Sequence, residues 1–339
     1  MHRPTVGIVT PALASANNGN WRTTARWARM LAPDLRAIVL AAWQGEPCDL
    51  LIVLHARRGA ESVLRWSRSA ARDTGRRPPL ILVLTGTDLY GDIHTDAQAR
   101  ESLKLADALV VLQDQGLDAL PESLRSKAHV IYQSGASRRT LPKPARSLRA
   151  LMVGHLRAEK DPRTLFGAAR LLRERADIRI DHIGVALEPE LGRAAESTMR
   201  QCPNYRWLGE RSHAETLRRI QRAHLLVHAS RVEGGAHAIL EALCSGTPVL
   251  ASAIPGNIGM LGAGYEAYFP PGDPRALARW LQRCRDEPDL LDRLRARCRE
   301  RVPLFDPDTE RAALRRLVST LLEGSATMHP LPEPDQGSS

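Results

Sequence analysis

The sequence predicts an α/β fold in two domains, and three observations carry that reading. The chain has 339 residues, long for one hydrophobic core and comfortable for two of ordinary size. Short apolar runs recur along it, Leu50 to Leu54 and Ala108 to Leu112 among them, and continuous apolar runs of this length read as strands buried on both faces. The stretch from Leu225 to Ala251 reads as strand, glycine turn, helix and strand, the unit that turns backbone N–H groups at a helix N-terminus toward an anion.

In chain order, Thr5 to Thr10 is a first buried strand. A loop of small and polar residues runs from Pro11 to Asn20, and helical spacing of apolar residues follows from Trp21 to Leu31. The loop is not the dinucleotide G-x-G-x-x-G, which disfavours an NAD enzyme. Leu50 to Leu54 is the second strand, closing in His55-Ala-Arg-Arg-Gly59, with a helix from about Ala60. Arg57 and Arg58, at a strand's carboxyl end beside a helix start, suit an oxyanion, and His55 could serve as a neutral base there. The alternative reading makes both arginines plain surface residues. Pro79 to Leu84 is the third strand and ends in Thr85-Gly-Thr-Asp-Leu-Tyr90; further strands fall at Ala108 to Leu112 and His129 to Tyr132. The basic, proline-bearing stretch Ser137 to Arg146 reads as a hinge, which sets the first domain at residues 1–146.

The second half opens with the strand Ala150 to Val153, then Gly154-His-Leu-Arg-Ala-Glu-Lys160. Strands follow at Arg179 to Gly184 and Tyr205 to Gly209, and a helix from about Ser212. In the central stretch, Glu233 stands at the mouth of the glycine turn and Glu241 inside the helix, with seven residues between them. The amides of Gly234, Gly235 and Ala236 could hold a phosphate, because the two glycines bear no Cβ to keep it away. A carboxylate can accept two hydrogen bonds from vicinal sugar hydroxyls. Two carboxylates flanking a phosphate cradle therefore suit a sugar nucleotide; taken singly, Glu233 could equally cap the helix and Glu241 be solvated. A long amphipathic, arginine-rich helical region is expected from Asp273 to Arg301, and residues 324–339 read as a disordered tail.

Composition narrows the class. No apolar run reaches membrane-spanning length and no signal peptide is evident. The five cysteines are odd in number and lack metal-ligand spacing, which suits a reduced, cytoplasmic setting. The formal charge of +10 would fit a nucleic-acid binder, but aromatics make up only 4% and no nucleic-acid motif is present. An arginine-rich composition is the preferred source of the charge, so neither nucleic acid nor membrane is expected as a partner.

Glu233 and Glu241, followed by Ala-Leu-Cys-Ser-Gly-Thr-Pro-Val249, resemble the E-x7-E signature of glycosyltransferase family 4. The resemblance implies the GT-B architecture, two Rossmann-like parallel-sheet domains facing each other across a cleft. It implies a sugar-nucleotide-binding domain over 147–305 and a terminal helix over 306–323 that crosses back to the first domain. It also implies that Glu241 holds the ribose hydroxyls, and that Glu233 and the amides after it hold the donor sugar and diphosphate. Gly154 to Lys160 resembles the family's G-R-L-x-x-E-K, whose Arg and Lys neutralise the diphosphate. Lys160 keeps its place, whereas His155 stands at the Arg position and Arg157 could supply the missing charge. Gly184 and Arg211 would border the base pocket, and Gly19 and Asn20 would face the donor. No metal or cofactor is expected.

Where the family often reads His-Gly-Thr-Asp, this chain has Thr85, so the usual base is missing. His55 to Arg58, Thr85 to Tyr90 and Gln133-Ser-Gly135 are similar to the selenosugar synthases of selenoneine biosynthesis. That resemblance implies transfer of a hexose from UDP-N-acetylglucosamine or UDP-glucose to selenophosphate. The acceptor would meet His55, Arg57, Arg58, Thr85, Thr87 and Asp88. An ordinary hydroxyl acceptor, and a non-catalytic sugar-nucleotide binder, are the alternatives.

Overall fold

The structure, a computed structural model, describes residues 3–11, 19–69 and 78–326. Its first half runs β1 (Thr5–Val9), α1 (Gly19–Leu31), β2 (Arg36–Leu40), β3 (Leu50–Leu54), α2 (Ala60–Ser69) and β4 (Leu80–Val83). A π-helical turn over Asp88–Asp92 leads into the short α3 (Ile93–Thr95), then α4 (Ala97–Leu105), β5 (Ala108–Val111) and β6 (Ala128–Val130). The six strands form one sheet in the order β2-β1-β3-β4-β5-β6. β3, β4 and β5 are buried at every residue, as strands covered on both faces must be.

The second half runs β7 (Leu148–Val153), α5 (Pro162–Leu171), β8 (Ile178–Ile183), α6 (Pro189–Gln201), β9 (Tyr205–Trp207), α7 (His213–Arg222) and β10 (Leu225–His228). It continues with α8 (His237–Cys244), β11 (Val249–Ser252), α9 (Pro255–Leu261), β12 (Tyr268–Phe269), α10 (Pro274–Asp286), α11 (Leu290–Arg301) and α12 (Pro307–Ala326). These six strands form a second sheet, β12-β11-β10-β7-β8-β9, with parallel pairings throughout. α5 packs on α6 and α10, while α8 packs on α7, α9 and α11. The sheet is thus flanked by helices, the expected α/β architecture, and its core gathers Leu165, Phe166, Leu226, Val227 and Leu250.

By internal contacts the chain divides into two compact units. One holds residues 1–83, 95–110 and 311–339; the other holds 84–94 and 111–310. The proline-bearing stretch 137–146 belongs to the second unit and is clasped there: Arg138 N donates to Cys244 O at 2.7 Å and Gln221 Nε2 to Arg139 O at 2.7 Å.

Three elements depart from the sequence reading. β2 was not foreseen, although Ile38-Val-Leu40 carries a strand signal; it is a half-buried edge strand, paired only with β1. The long helical region from Asp273 to Arg301 is two helices, α10 and α11. Glu287, just before Pro288, adopts φ −95° and ψ 109°, because a residue preceding proline is pushed out of the helical region. Residues 324–326, expected in the tail, belong to α12; 327–339 lie outside the described residues.

Candidate functional site

In the second sheet the strand order reverses between β7 and β10. After β7 the chain proceeds to β8 on one side, and after β10 to β11 on the other. The crevice beyond the carboxyl ends of two such strands is where open α/β sheets bind ligands. Here those ends are Gly154 to Lys160 and Ala229 to Ala236, so the topology itself brings together two stretches that begin 75 residues apart.

They meet in a charge cluster. Lys160 Nζ donates to Glu233 Oε1, and His228 Nε2 lies 3.1 Å from the same oxygen. The side chains of Lys160 and Glu233 are 19% and 12% exposed, and His228 is buried within the end of β10. Burial alone would push the Glu233 carboxyl up. The Lys160 ammonium, with His228 behind it, outweighs burial and holds the group well below the ordinary carboxylate range. Both partners take Oε1, and Oε2 accepts no hydrogen bond from any described residue.

Arg231 fixes the two loops to each other. Its backbone N–H donates to Glu159 O at 2.8 Å, and its Nε stands 3.2 Å from Asp161 Oδ2. Asp161 sits in the left-handed region at φ 46° and also accepts from Thr164 Oγ1 at 2.8 Å. A backbone held there by several side-chain bonds keeps the turn before α5, and Lys160 with it, in one conformation.

The glycines of the turn serve a purpose other than the one expected. A Cβ on Gly234 would lie 2.4 Å from Thr85 O, and one on Gly235 would lie 2.9 Å from Leu112 Cβ. Their lack of side chain admits neighbouring loops rather than leaving open space for a phosphate. The backbone N–H groups of Gly234, Gly235 and Ala236 nonetheless donate to no described residue. Ala236 caps α8 without a side-chain bond, so the donors at this helix start remain available to an anion.

The other donor-side candidates of the second unit follow β7 and β8, or sit just before α7 and within α8. Gly154 O accepts from His182 Nε2 at 3.1 Å. Gly184 has φ 154°, and a Cβ there would meet Gly154 O at 2.0 Å. His155 Nδ1 accepts from Val185 N at 3.1 Å, which leaves the ring proton on Nε2 and gives the imidazole a loop-holding task. Arg157 Nε lies 3.8 Å from Glu159 Oε2. Arg211 pairs with Glu215 at 3.2 Å. Glu241 Oε1 lies 2.7 Å from His213 Nε2, at the first turn of α7. Gly19 and Asn20 open α1 in the other compact unit, directly after residues 12–18, which lie outside the described residues.

Of the acceptor-side candidates, His55, Arg57 and Arg58 form the turn after β3, beside the strand-order reversal of the first sheet between β1 and β3. Arg57 and Arg58 are exposed. His55 is buried in the left-handed region at φ 75°, and its Nδ1 accepts from Arg58 N at 3.3 Å. Asp88 is wholly buried, and its Oδ1 accepts from Thr85 N at 2.8 Å, Gly86 N at 3.0 Å and Thr85 Oγ1 at 3.1 Å. That carboxylate ties the turn after β4, with Thr87 at the start of the π-helical turn. Thr85, Thr87 and Asp88 belong to the second compact unit and Arg57 and Arg58 to the first.

Sequence reasoning missed His228, Arg231 and His213. His228 extends an apolar strand run, and Arg231 directly follows Ser230; neither has a local signal of its partner. His213 follows the N-cap Ser212, which was read only as a helix start. Among the described residues no group of three or more His, Cys, Asp or Glu could hold a metal ion, and no helix is long and apolar enough to cross a membrane.

Comparison with known proteins gives this geometry a context. Residues 133–301 match the family described as glycosyl transferases group 1. A sucrose-phosphate synthase from Thermosynechococcus elongatus shares the fold with a TM-score of 0.77 at 17% identity, over 95% of this chain and 100% of that one. An Anabaena HepE structure in complex with UDP-glucose gives 0.73 at 15% identity, over 94% and 100%. A glycosyltransferase from Rickettsia africae gives 0.69 at 15% identity, over 97% and 100%. At such identities the likeness is one of fold, and the fold is GT-B.

Proposed function

We propose, from the match of residues 133–301 to glycosyl transferases group 1, that this chain is a UDP-sugar-dependent glycosyltransferase. The observation that carries the reading is the Lys160–Glu233–His228 cluster at the β7/β10 reversal, beside the undonated amides of Gly234 to Ala236. In this reading Lys160 and those amides neutralise the departing diphosphate. Glu233 offers Oε2 to the hexose, and Glu241 takes the ribose. The HepE structure, solved with UDP-glucose, supports a donor of this class. UDP-N-acetylglucosamine and UDP-glucose are the two candidates, and the chemistry calls on no metal or cofactor.

The acceptor is a small anionic nucleophile, selenophosphate in the first instance. Selenium would bond to the anomeric carbon as the C1–O bond to UDP breaks, and UDP would leave with the bonding pair. An acceptor that needs no base fits the engagement of His55, the candidate base, whose Nδ1 accepts from the Arg58 amide. Arg57 and Arg58 would then neutralise the acceptor phosphate.

UDP release from each donor, with and without selenophosphate, tests the proposal when paired with mass spectrometry of the product. Selenophosphate-dependent release and a selenium isotope pattern on the sugar are expected. Release with glycerol or a sugar alcohol, and none with selenophosphate, would leave the donor half standing and refute the acceptor half.

A further inference from the structure

We propose that the second compact unit carries a separate anion-binding site, in the bay between α7 and the amino-terminal ends of β7 and β8, fitted to a compact soluble anion with two phosphate-type groups. The bay has a volume of about 370 Å³, at the small end of the range for ligand pockets. Arg149, Arg179, Arg206, Arg218, Arg219 and Arg222 line it, against two carboxylates, Asp181 and Glu215.

Both carboxylates are already engaged. Asp181 takes two hydrogen bonds from Arg206, at 2.9 and 3.1 Å, and lies 3.7 Å from Arg219. Glu215 pairs with Arg219 at 2.9 Å and Arg211 at 3.2 Å. The side chains of Arg149, Arg179, Arg218 and Arg222 make no hydrogen bond or ion pair with any described residue. They come as two like-charged pairs. Arg149 and Arg179 are direct register partners on neighbouring strands, and Arg218 and Arg222 stand four apart on α7. Each arrangement repels itself when left uncompensated.

The surroundings add to the positive field. Lys143 donates to the carbonyl of Ala223, which lines the bay. Burial, then Arg295, pulls its ammonium down to about 8. Burial, then Lys143, lowers the adjoining His224 to about 4. An anion placed among the four guanidiniums would offset the repulsion within each pair. Two pairs of planar forks match two phosphate groups, each able to take a bidentate contact.

This is not the donor crevice. Arg149 is near the start of β7 and Gly154 follows its end; five residue steps along the strand separate them by about 16 Å.

Calorimetric titration of the full chain with inorganic pyrophosphate tests the proposal, using Arg149→Gln/Arg179→Gln and Lys160→Ala as the two variants. These arginines are exposed, and an unchanged thermal midpoint checks the fold. With saturating UDP present to occupy the donor crevice, pyrophosphate should bind wild type and Lys160→Ala alike, and at least tenfold more weakly in the double glutamine variant. Binding that survives in the double variant, vanishes in Lys160→Ala, or is matched by sodium chloride at equal ionic strength overturns the site. So does binding of a 20-nucleotide RNA that the double variant abolishes while pyrophosphate shows none, since the bay would then serve nucleic acid.

Discussion

Between β7 and β10 a lysine and a histidine close on one carboxylate, largely out of water. Between β1 and β3 two arginines stand exposed on a turn whose histidine accepts from the turn's own backbone. Both places are strand-order reversals at the carboxyl edge of a parallel sheet. They differ in what has been settled inside the chain. The second sheet's reversal has its charges paired, its loops bolted by Arg231, and one carboxylate oxygen left over. The first sheet's reversal has a turn that holds its own histidine, and its two arginines stand in water. A preorganised site of the first kind stabilises developing charge at no reorganisation cost, whereas exposed arginines gain value only when a ligand desolvates them.

Five measurements would break or sharpen that contrast. The largest effect is expected from Lys160→Ala, which strips the Glu233 carboxylate and the leaving diphosphate of their cation. Turnover should fall by roughly 10²–10³-fold, read as UDP release at saturating donor; unchanged turnover would remove Lys160 from leaving-group stabilisation. The second concerns His182, wholly buried between Tyr205 Oη and Gly154 O, each at 3.1 Å. Burial holds its imidazole down to about 4. The unfolded chain therefore takes up a proton between pH 6.5 and pH 4 that the native chain refuses. The stabilisation is whole above pH 6.5 and declines as pH falls, by ~3 kcal/mol at pH 4. Urea midpoints across that window should slope more steeply for wild type than for His182→Gln, and parallel slopes would refute the assignment.

Gly256→Ala comes third. Its Cβ would lie 2.0 Å from Glu233 O, so the donor loop must shift, at a cost of about 2 kcal/mol. A thermal midpoint equal to wild type would mean that this loop is softer than described. Asp88→Ala removes the acceptor of three hydrogen bonds and should cost about 1–2 kcal/mol by denaturant titration, with Asp88→Asn closer to wild type. Smallest in stability are Arg57→Ala and Arg58→Ala, expected within about 0.5 kcal/mol of wild type yet raising KM for an anionic acceptor. If KM for the acceptor stays put, the turn after β3 is not where that anion binds.

Much of the architecture was legible because buried parallel strands announce themselves as unbroken apolar runs. Leu50 to Leu54 and Leu225 to Val227 needed nothing else. β2 escaped because an edge strand is half exposed and its signal, Ile38-Val-Leu40, is only three residues long. The break at Pro288 was readable and was overridden by the amphipathic pattern on either side. Within the candidate site, Lys160, Glu233 and Glu241 were visible by spacing. Their company was not: His228, Arg231 and His213 acquire meaning only once the sheet has placed them against those residues. The glycine turn was read for what it could bind, while the structure shows what it must first let in.

That last point bears on redesign. Gly184 lies against Gly154, Gly234 against Thr85 and Gly86, and Gly256 against Glu233, each where even one carbon would collide. The loops are interlocked like the wards of a key, and no one of them can drift alone. A chimaera that imports the Glu233 loop from a homologue should fail unless the segments around Thr85 and Gly256 travel with it. What must be exchanged together is therefore a set of three loops, scattered across some 170 positions, rather than any motif that can be cut out as a contiguous stretch.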